Sequence, residues 1–283
     1  TLTLETEDDA IHVRGADSHY KIFGYPPADM PPIKPFEGEA DFQINAGALD
    51  DLVTKTLFAT ARENSRYAIN GVLMERDGKK LVMVATDGRR LAQARGSVSS
   101  GGSDAASSNV IVPTKALNLL TRLLDDPAEN VKVRVTENQV LIGTESATLT
   151  SHLVEGNFPP YKDVIPKDHD RKAVFATEAL ASGVRRAALL TNEESKGVRL
   201  AFNEQQLVLS SRAPEMGEAE VNVPVESFAG EPLEIGFNPQ FITDVLKVLD
   251  ADQVTMELKA SNKPGTLRVG NEFLYVVMPI SLG

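Results

Sequence analysis

The stretch Val131–Tyr161, VKVRVTENQVLIGTESATLTSHLVEGNFPPY, decides how the rest of the chain is read. It alternates apolar and polar residues at period two, turns at Glu137 and Asn138, alternates again and closes on Phe158-Pro159-Pro160. Period two puts successive side chains on opposite faces, so the stretch predicts consecutive antiparallel strands. The N-terminal segment has the same plan: Leu2, Leu4 and Thr6, an acidic turn at Asp8-Asp9, runs at Ile11 and Val13 and at Tyr20 and Ile22, then Pro31-Pro32. A third copy runs through Val254, Met256 and Leu258, then Leu267 and Val269, then Phe273 to Met278, and closes on Pro279.

The segments before these strands correspond as well. VPTKALNLLTRLLDD from Val112 matches GFNPQFITDVLKVLD from Gly236, and FQINAGALDDLVTKTLFATA from Phe42 matches VFATEALASGVRRAALLTN from Val174. Each carries an apolar stripe at helical spacing: Leu49, Leu52, Val53, Thr56 and Leu57; Leu117, Leu120, Leu123 and Leu124; Leu180, Val184, Ala187 and Ala188; Phe241, Val245, Val248 and Leu249. Thr114, Thr177 and Asn238 stand where N-caps belong, with Pro239 in a first turn. The repeat is about 125 to 130 residues long, each unit being a helix plus three strands, twice over. The fold class is therefore α+β, with two helices per unit packed on antiparallel sheets whose other face meets solvent. Phe23 to Phe36 and Pro159 to Arg171 read as linkers, and Gly96 to Ser108, GSVSSGGSDAASS, as a flexible polar insert.

Composition limits the function. The 283 residues are 42% hydrophobic and 24% charged, with no apolar run long enough to span a membrane and no signal-peptide pattern, so no membrane partner is expected and the cytoplasm is the expected compartment. The balance of 29 Lys and Arg against 40 Asp and Glu gives −11, which excludes a uniformly basic coat but not a local basic surface. Zero Cys excludes disulfides, thiolate-held metal and a cysteine nucleophile. The four His, at 12, 19, 152 and 169, are scattered singly, and no hydrolase elbow, phosphate loop or dinucleotide fingerprint is present. Asp50-Asp51 and Asp125-Asp126 sit on or at helix ends without a matching base or nucleophile. No enzyme activity and no cofactor or metal are expected.

Two segments stand apart. ATDGRRLA, Ala85 to Ala92, carries the hairpin signal Asp87-Gly88 between LVMVAT and RLAQAR, and YVVMPISLG ends the chain with Met278-Pro279 at a strand end. With ENSRYAINGVL, VIVPTKALNLL, LVEGNFPPYKDVIP, NEESKGVRL and EIGFNPQFITDVL, in this order over essentially the whole chain, they resemble the bacterial sliding clamp, the beta subunit of DNA polymerase III.

That resemblance implies a DNA clamp fold, in which residues 1 to 38 are the tail of a first domain, 39 to 165 a second and 166 to 283 a third. It implies a processivity factor without catalysis that encircles duplex DNA as a head-to-tail homodimeric ring. Its partners would be double-stranded DNA, contacted without sequence preference, the polymerase III alpha subunit, the clamp loader and other proteins with a clamp-binding motif. The DNA-facing residues would be Lys55, Arg62, Arg66, Tyr67, Lys115, Arg122, Arg185, Arg186 and Lys247. A pocket for short peptides would use Ile69, Gly71, Thr86, Gly88, Arg89, Arg90, Leu91, Pro159, Val164, Val276, Val277, Met278, Pro279 and Ile280. Arg89 stands where the family often has His, Asp163 where a basic residue can occur, and Ser281 where a basic residue often precedes the final Leu, so a less positive pocket rim and altered partner preference are expected. Leu189 and Leu190 resemble the apolar contact with a neighbour's first domain, most of which this chain is expected to lack, so a chain that closes no ring and is a monomer, or a dimer that depends on the crystal, is expected. The competing readings are a hydrolase or transferase with a site beside Asp87 and Arg90, and a general protein-binding module without a DNA role.

Overall fold

The computed structural model describes all residues except Asp8, 31–35, 62–67, 101–106, 192–196 and 282–283. It divides into two units, Thr1–Glu37 and Gly38–Gly283. The first is a three-stranded antiparallel sheet of β1 (Thr3–Glu7), β2 (Ala10–Arg14) and β3 (His19–Phe23), in that order. Its polar alternation is interrupted by a meeting of two histidines. His12 is buried, its Nδ1 lies 2.9 Å from His19 Nε2, and the rings stack with centroids 5.1 Å apart. Sequence spacing had left these two residues isolated; strand pairing across the β2–β3 hairpin brings them together. Among the described residues, no group of three or more His, Cys, Asp or Glu could hold a metal ion.

The second unit goes through one plan twice. First come β4 (Phe42–Asn45), α1 (Ala46–Leu57), β5 (Gly71–Asp77), β6 (Lys80–Thr86), β7 (Arg90–Ser97), β8 (Ser99–Ser100), β9 (Ser108–Pro113), α2 (Thr114–Leu120), β10 (Asn130–Val135), β11 (Gln139–Gly143) and β12 (Thr148–His152). Then follow β13 (Arg171–Ala176), α3 (Thr177–Ala187), β14 (Val198–Phe202), β15 (Gln206–Ala213), β16 (Gly217–Pro224), β17 (Ser227–Ala229), β18 (Leu233–Phe237), α4 (Pro239–Lys247), β19 (Gln253–Leu258), β20 (Gly265–Val269) and β21 (Phe273–Val277). The period-two runs around Val131 and Val254 are the three-stranded ends of the two repeats, β10 to β12 and β19 to β21. α1 packs on α2 and α3 on α4, and their apolar stripes enter one continuous core with Phe42, Phe175, Phe202 and Phe237.

Helix starts differ from expectation in detail. Asn238 does cap α4, its side chain accepting from Gln240 N at 2.9 Å, and Asn45, which the pattern did not single out, caps α1 by accepting from Ala48 N at 3.3 Å. Thr114 and Thr177 are instead the first helical residues, after Pro113 and Ala176, which make no side-chain cap bond. Thr114 turns its hydroxyl to the Asn70 carbonyl, a tertiary bond that competes with capping.

Sheet connectivity also exceeds the repeat. β12-β11-β10-β4-β8 and β16-β15-β14-β18 each belong to one repeat, but β17-β13-β19-β20-β21-β7-β6-β5-β9 is a single nine-stranded sheet crossing both. The seam is β21 on β7, with Val277 opposite Arg90, Val276 opposite Leu91 and Tyr275 opposite Ala92. The insert expected to be flexible is strand at both ends: Ser99–Ser100 pairs with Phe42 and Gln43, and β9 begins at Ser108. Nor does the outer sheet face meet solvent throughout. Leu73, Val84, Leu91, Ile111, Leu274 and Val276 form a second core there under Tyr161, with Val154, Phe158 and Ile165 packed against it. The proline-rich linker thus acts as a strap, because its aromatic and aliphatic residues find apolar surface that the alternating strands leave on that side.

Candidate functional site

The seam places the two odd sequence segments side by side. The β6–β7 hairpin turns over Asp87–Arg90, with Gly88 at the first central position and φ of +86°, which a side chain other than glycine rarely adopts. The sequence signal Asp87-Gly88 is therefore displaced by one residue: Asp87 is the turn's first corner. Its Oδ1 accepts from Arg89 N at 2.9 Å and Arg90 N at 3.0 Å. Thr86 closes the base, donating its hydroxyl to the Arg90 carbonyl at 2.6 Å and accepting from Gly88 N at 3.1 Å. The last residues then dock on the turn, Met278 N donating to the Arg89 carbonyl at 2.9 Å and Ile280 N to the Gly236 carbonyl at 2.9 Å.

Arg90 does not point to solvent. Its side chain is 10% exposed; Nε lies 3.0 Å from Asp87 Oδ2, Nη1 2.7 Å from Asp244 Oδ2 and Nη2 3.0 Å from the Phe58 carbonyl. The guanidinium carbon sits 4.6 Å from the Phe241 ring centre and 5.5 Å from that of Phe58. Burial works against its charge, but the Asp244 hydrogen bond and neighbouring charges outweigh burial and the pKa is raised. Beneath it Tyr275 donates to the Phe241 carbonyl at 2.9 Å, and burial pushes the Tyr275 pKa up. From the sequence none of Phe58, Phe241, Asp244 and Tyr275 has a role at the site, Phe241 standing only in a helical stripe and Tyr275 only in a strand run, since no local pattern joins position 90 to residue 244.

Most of the residues named for a peptide pocket fall into three overlapping groups. Thr86, Arg90, Leu91, Val276 and Val277 are neighbours through the β6–β7–β21 ladders, and Arg89 and Met278 through the bond between the Met278 amide and the Arg89 carbonyl. Met278, Pro279 and Ile280 line a surface cavity of about 560 Å³ together with Ile235 and Gly236. Pro159 lines a groove of about 1220 Å³ with Ile111 and Tyr161, on the strap that packs over Leu91 and Val276. Tyr161 anchors the strap by donating to Glu75; burial first, and then Glu75, pushes its pKa up. Gly71 opens β5 opposite Pro113, where a Cβ would meet the Val112 carbonyl oxygen at 2.7 Å, so only glycine permits that approach. Ile69, Thr86, Leu91, Val276 and Val277 are buried, whereas Gly88, Arg89, Val164 at 55% and Met278 at 45% are exposed. A molecule arriving from solvent meets the second set first.

Comparison with known proteins gives the family. Residues 43–160 match the family described as DNA polymerase III beta subunit, central domain, and residues 162–281 the one described as DNA polymerase III beta subunit, C-terminal domain. The beta sliding clamp of Vibrio cholerae is 35% identical over 283 residues, covering 99% of this chain and 76% of that protein. The chain belongs to the bacterial sliding clamp family. The crystal structure of the Bacillus subtilis DNA polymerase sliding clamp superposes with a TM-score of 0.91 at 26% identity, covering 99% of this chain and 74% of that one. A Pseudomonas aeruginosa sliding clamp does so with a TM-score of 0.89 at 33% identity, covering 99% and 76%. The clamp fold and a role in DNA replication as a sliding clamp follow for this chain. Among the described residues no helix is long and apolar enough to cross a membrane.

The clamp's candidate DNA-facing residues are unequal. Lys115 on α2, Arg186 on α3 and Lys247 on α4 are exposed, as is Arg122, which lies just past the end of α2 rather than on it. Lys55 is half-buried and ion-paired with Asp51 at 2.6 Å, and Arg185 is paired with Glu178 at 2.7 Å. Those carboxylates compete with any phosphate. Arg62, Arg66 and Tyr67 lie outside the described residues. Leu189, 73% exposed, and half-buried Leu190 sit on the 3-10 turn Ala188–Leu190 after α3, which packs against β15 and β16.

Proposed function

We propose that this clamp, as part of a closed ring, encircles duplex DNA and tethers the polymerase III alpha subunit, the clamp loader and other motif-bearing proteins through an apolar pocket at the seam, with no catalysis of its own. Residues 1 to 38 would then correspond to the end of a first clamp domain, 39 to 165 to a second and 166 to 283 to a third. The carrying observation is the seam itself: Met278 is half-exposed, held by its backbone to Arg89, and lines a surface cavity with Ile235 and Gly236, directly after Val276 and Val277 of β21. An apolar side chain seated there gains about 1.5 to 3 kcal/mol, less the cost of ordering an extended peptide, which suits exchangeable partners. Methionine adapts its shape to several ligands. The hydrolase or transferase reading has less support, because Asp87 spends its oxygens on the turn and on Arg90, and Arg90 spends its donors on Asp87, Asp244 and the Phe58 carbonyl.

Met278→Ala should weaken binding of a fluorescein-labelled peptide carrying one leucine and one phenylalanine by about tenfold, read by anisotropy; equal affinities would remove the pocket assignment. For the DNA role, exposed Lys115, Arg122, Arg186 and Lys247 provide a few phosphate contacts without base reading, as sliding requires. The complete clamp should be retained on nicked circular DNA and lost on linearisation, with retention little changed by sequence. Loss from the closed circle at the same rate would count against encirclement.

A further inference from the structure

We propose that Asp244 is a positioning residue for the peptide pocket: through Arg90 it sets the Asp87–Arg90 turn on which Met278 is held. The inference rests on the pocket reading and adds to it a residue on α4. The links are continuous. Asp244 Oδ2 holds Arg90 Nη1 at 2.7 Å, Arg90 Nε holds Asp87 Oδ2 at 3.0 Å, and the other Asp87 oxygen accepts the Arg89 and Arg90 amides at 2.9 and 3.0 Å. The Arg89 carbonyl then takes the Met278 amide at 2.9 Å. At its own end Asp244 is steadied by the Gln240 side-chain amide one helical turn back. Phe241 and Phe58 present their rings to the guanidinium, so it has little room for another position.

A guanidinium presents its donors in a fixed fork, so the orientation of Arg90 is determined by which carboxylates it serves. Asp87 and the Phe58 carbonyl hold Nε and Nη2, and Asp244, on a helix of the second repeat, fixes the remaining Nη1 corner of the fork. The carboxylate reaches no pocket surface itself, and its effect passes through the turn. Asp244→Asn keeps the shape and loses the charge-assisted bond.

The test uses the whole chain with [ε-13C]methionine and the fluorescein-labelled peptide carrying one leucine and one phenylalanine. The parent, Asp244→Asn, Arg90→Gln and the double variant are compared by anisotropy and by the Met278 methyl resonance without peptide, assigned with Met278→Leu. Asp244→Asn is expected to weaken the peptide about tenfold, the size of one lost charge-assisted bond, and to shift the Met278 methyl. In the Arg90→Gln background it should add nothing. An unchanged affinity with an unmoved Met278 resonance, even with a lowered urea midpoint, would make Asp244 merely structural and overturn the inference. Failure of the parent to bind would instead sink the pocket reading and the inference with it. If Asp244→Asn does not fold, Gln240→Ala, which removes only the amide steadying the carboxylate, is read in the same two ways.

Discussion

Tyr275→Ala should cost about 4 kcal/mol, the range for deleting a fully buried aromatic side chain. Tyr275 has no exposed surface and stands on β21 at the seam, opposite Ala92 of β7 on one side and Leu267 of β20 on the other. Its ring lies 5.7 Å from that of Phe58, and its hydroxyl satisfies the Phe241 carbonyl. Truncation leaves a cavity between the repeats, an unpaired carbonyl and two rings that no longer confine Arg90. Tyr275→Phe keeps the volume and loses only the hydrogen bond, so about 1 to 2 kcal/mol is expected. Urea unfolding followed by circular dichroism measures both. Because, among the described residues, the seam is the one strand pairing in the nine-stranded order that joins the repeats, Tyr275→Ala should also broaden the transition as they begin to unfold separately. A loss near 1 kcal/mol with an unchanged slope would show that the seam contributes little to cooperativity.

What the sequence reveals and what it hides divide along the range of the interactions. The runs at Val131 and Val254 are legible because β10 to β12 and β19 to β21 are hairpin-connected, so pairing and burial follow from period-two alternation within one stretch. The helical stripes of α1 and α3 are legible for the same local reason. The seam is not: Phe273 faces Ala94 across a separation no local pattern spans, and the edge strand that makes this pairing resembles any other. Arg90 shows the same limit at the site. Read locally it is a charged turn residue and a natural rim of a pocket, but Asp244 and two aromatic rings draw it inward. The strap was hidden because proline-rich composition signals a linker whether or not neighbouring surface is apolar. Thr114 and Thr177 were placed one position early in their helices: the Thr114 hydroxyl serves the Asn70 carbonyl instead of capping, and the buried Thr177 hydroxyl makes no cap bond.

Gly183→Leu alone should destabilise by about 3 kcal/mol, and Val223→Gly alone by about 3, yet together they should remain within about 2 kcal/mol of the parent. The reason lies in how the two repeats solve one packing problem. A Cβ on Gly183 in α3 would come within 2.2 Å of Val223 Cγ2 on β16. Counting from the helix starts at Ala46 and Thr177, Gly183 corresponds to Leu52 of α1; counting from the strand starts at Arg90 and Gly217, Val223 corresponds to Gly96 of β7. In the first repeat the side chains are exchanged, for a Cβ on Gly96 would meet Leu52 Cδ1 at 2.9 Å. One repeat sets a large helix residue over a strand glycine, the other a helix glycine over a strand valine. Leucine at 183 therefore overpacks against Val223, and glycine at 223 leaves a void over Gly183. Combined, they reproduce the Leu52–Gly96 arrangement, and the remaining loss is the backbone freedom of a strand glycine, about 1 kcal/mol, and imperfect fit. Leucine offsets part of this through its higher helix propensity. A double-mutant cycle in urea should give a coupling of about 4 kcal/mol or more, favourable in sign. Additive losses would mean that the two repeats share their order of elements but not the packing between helix and strand.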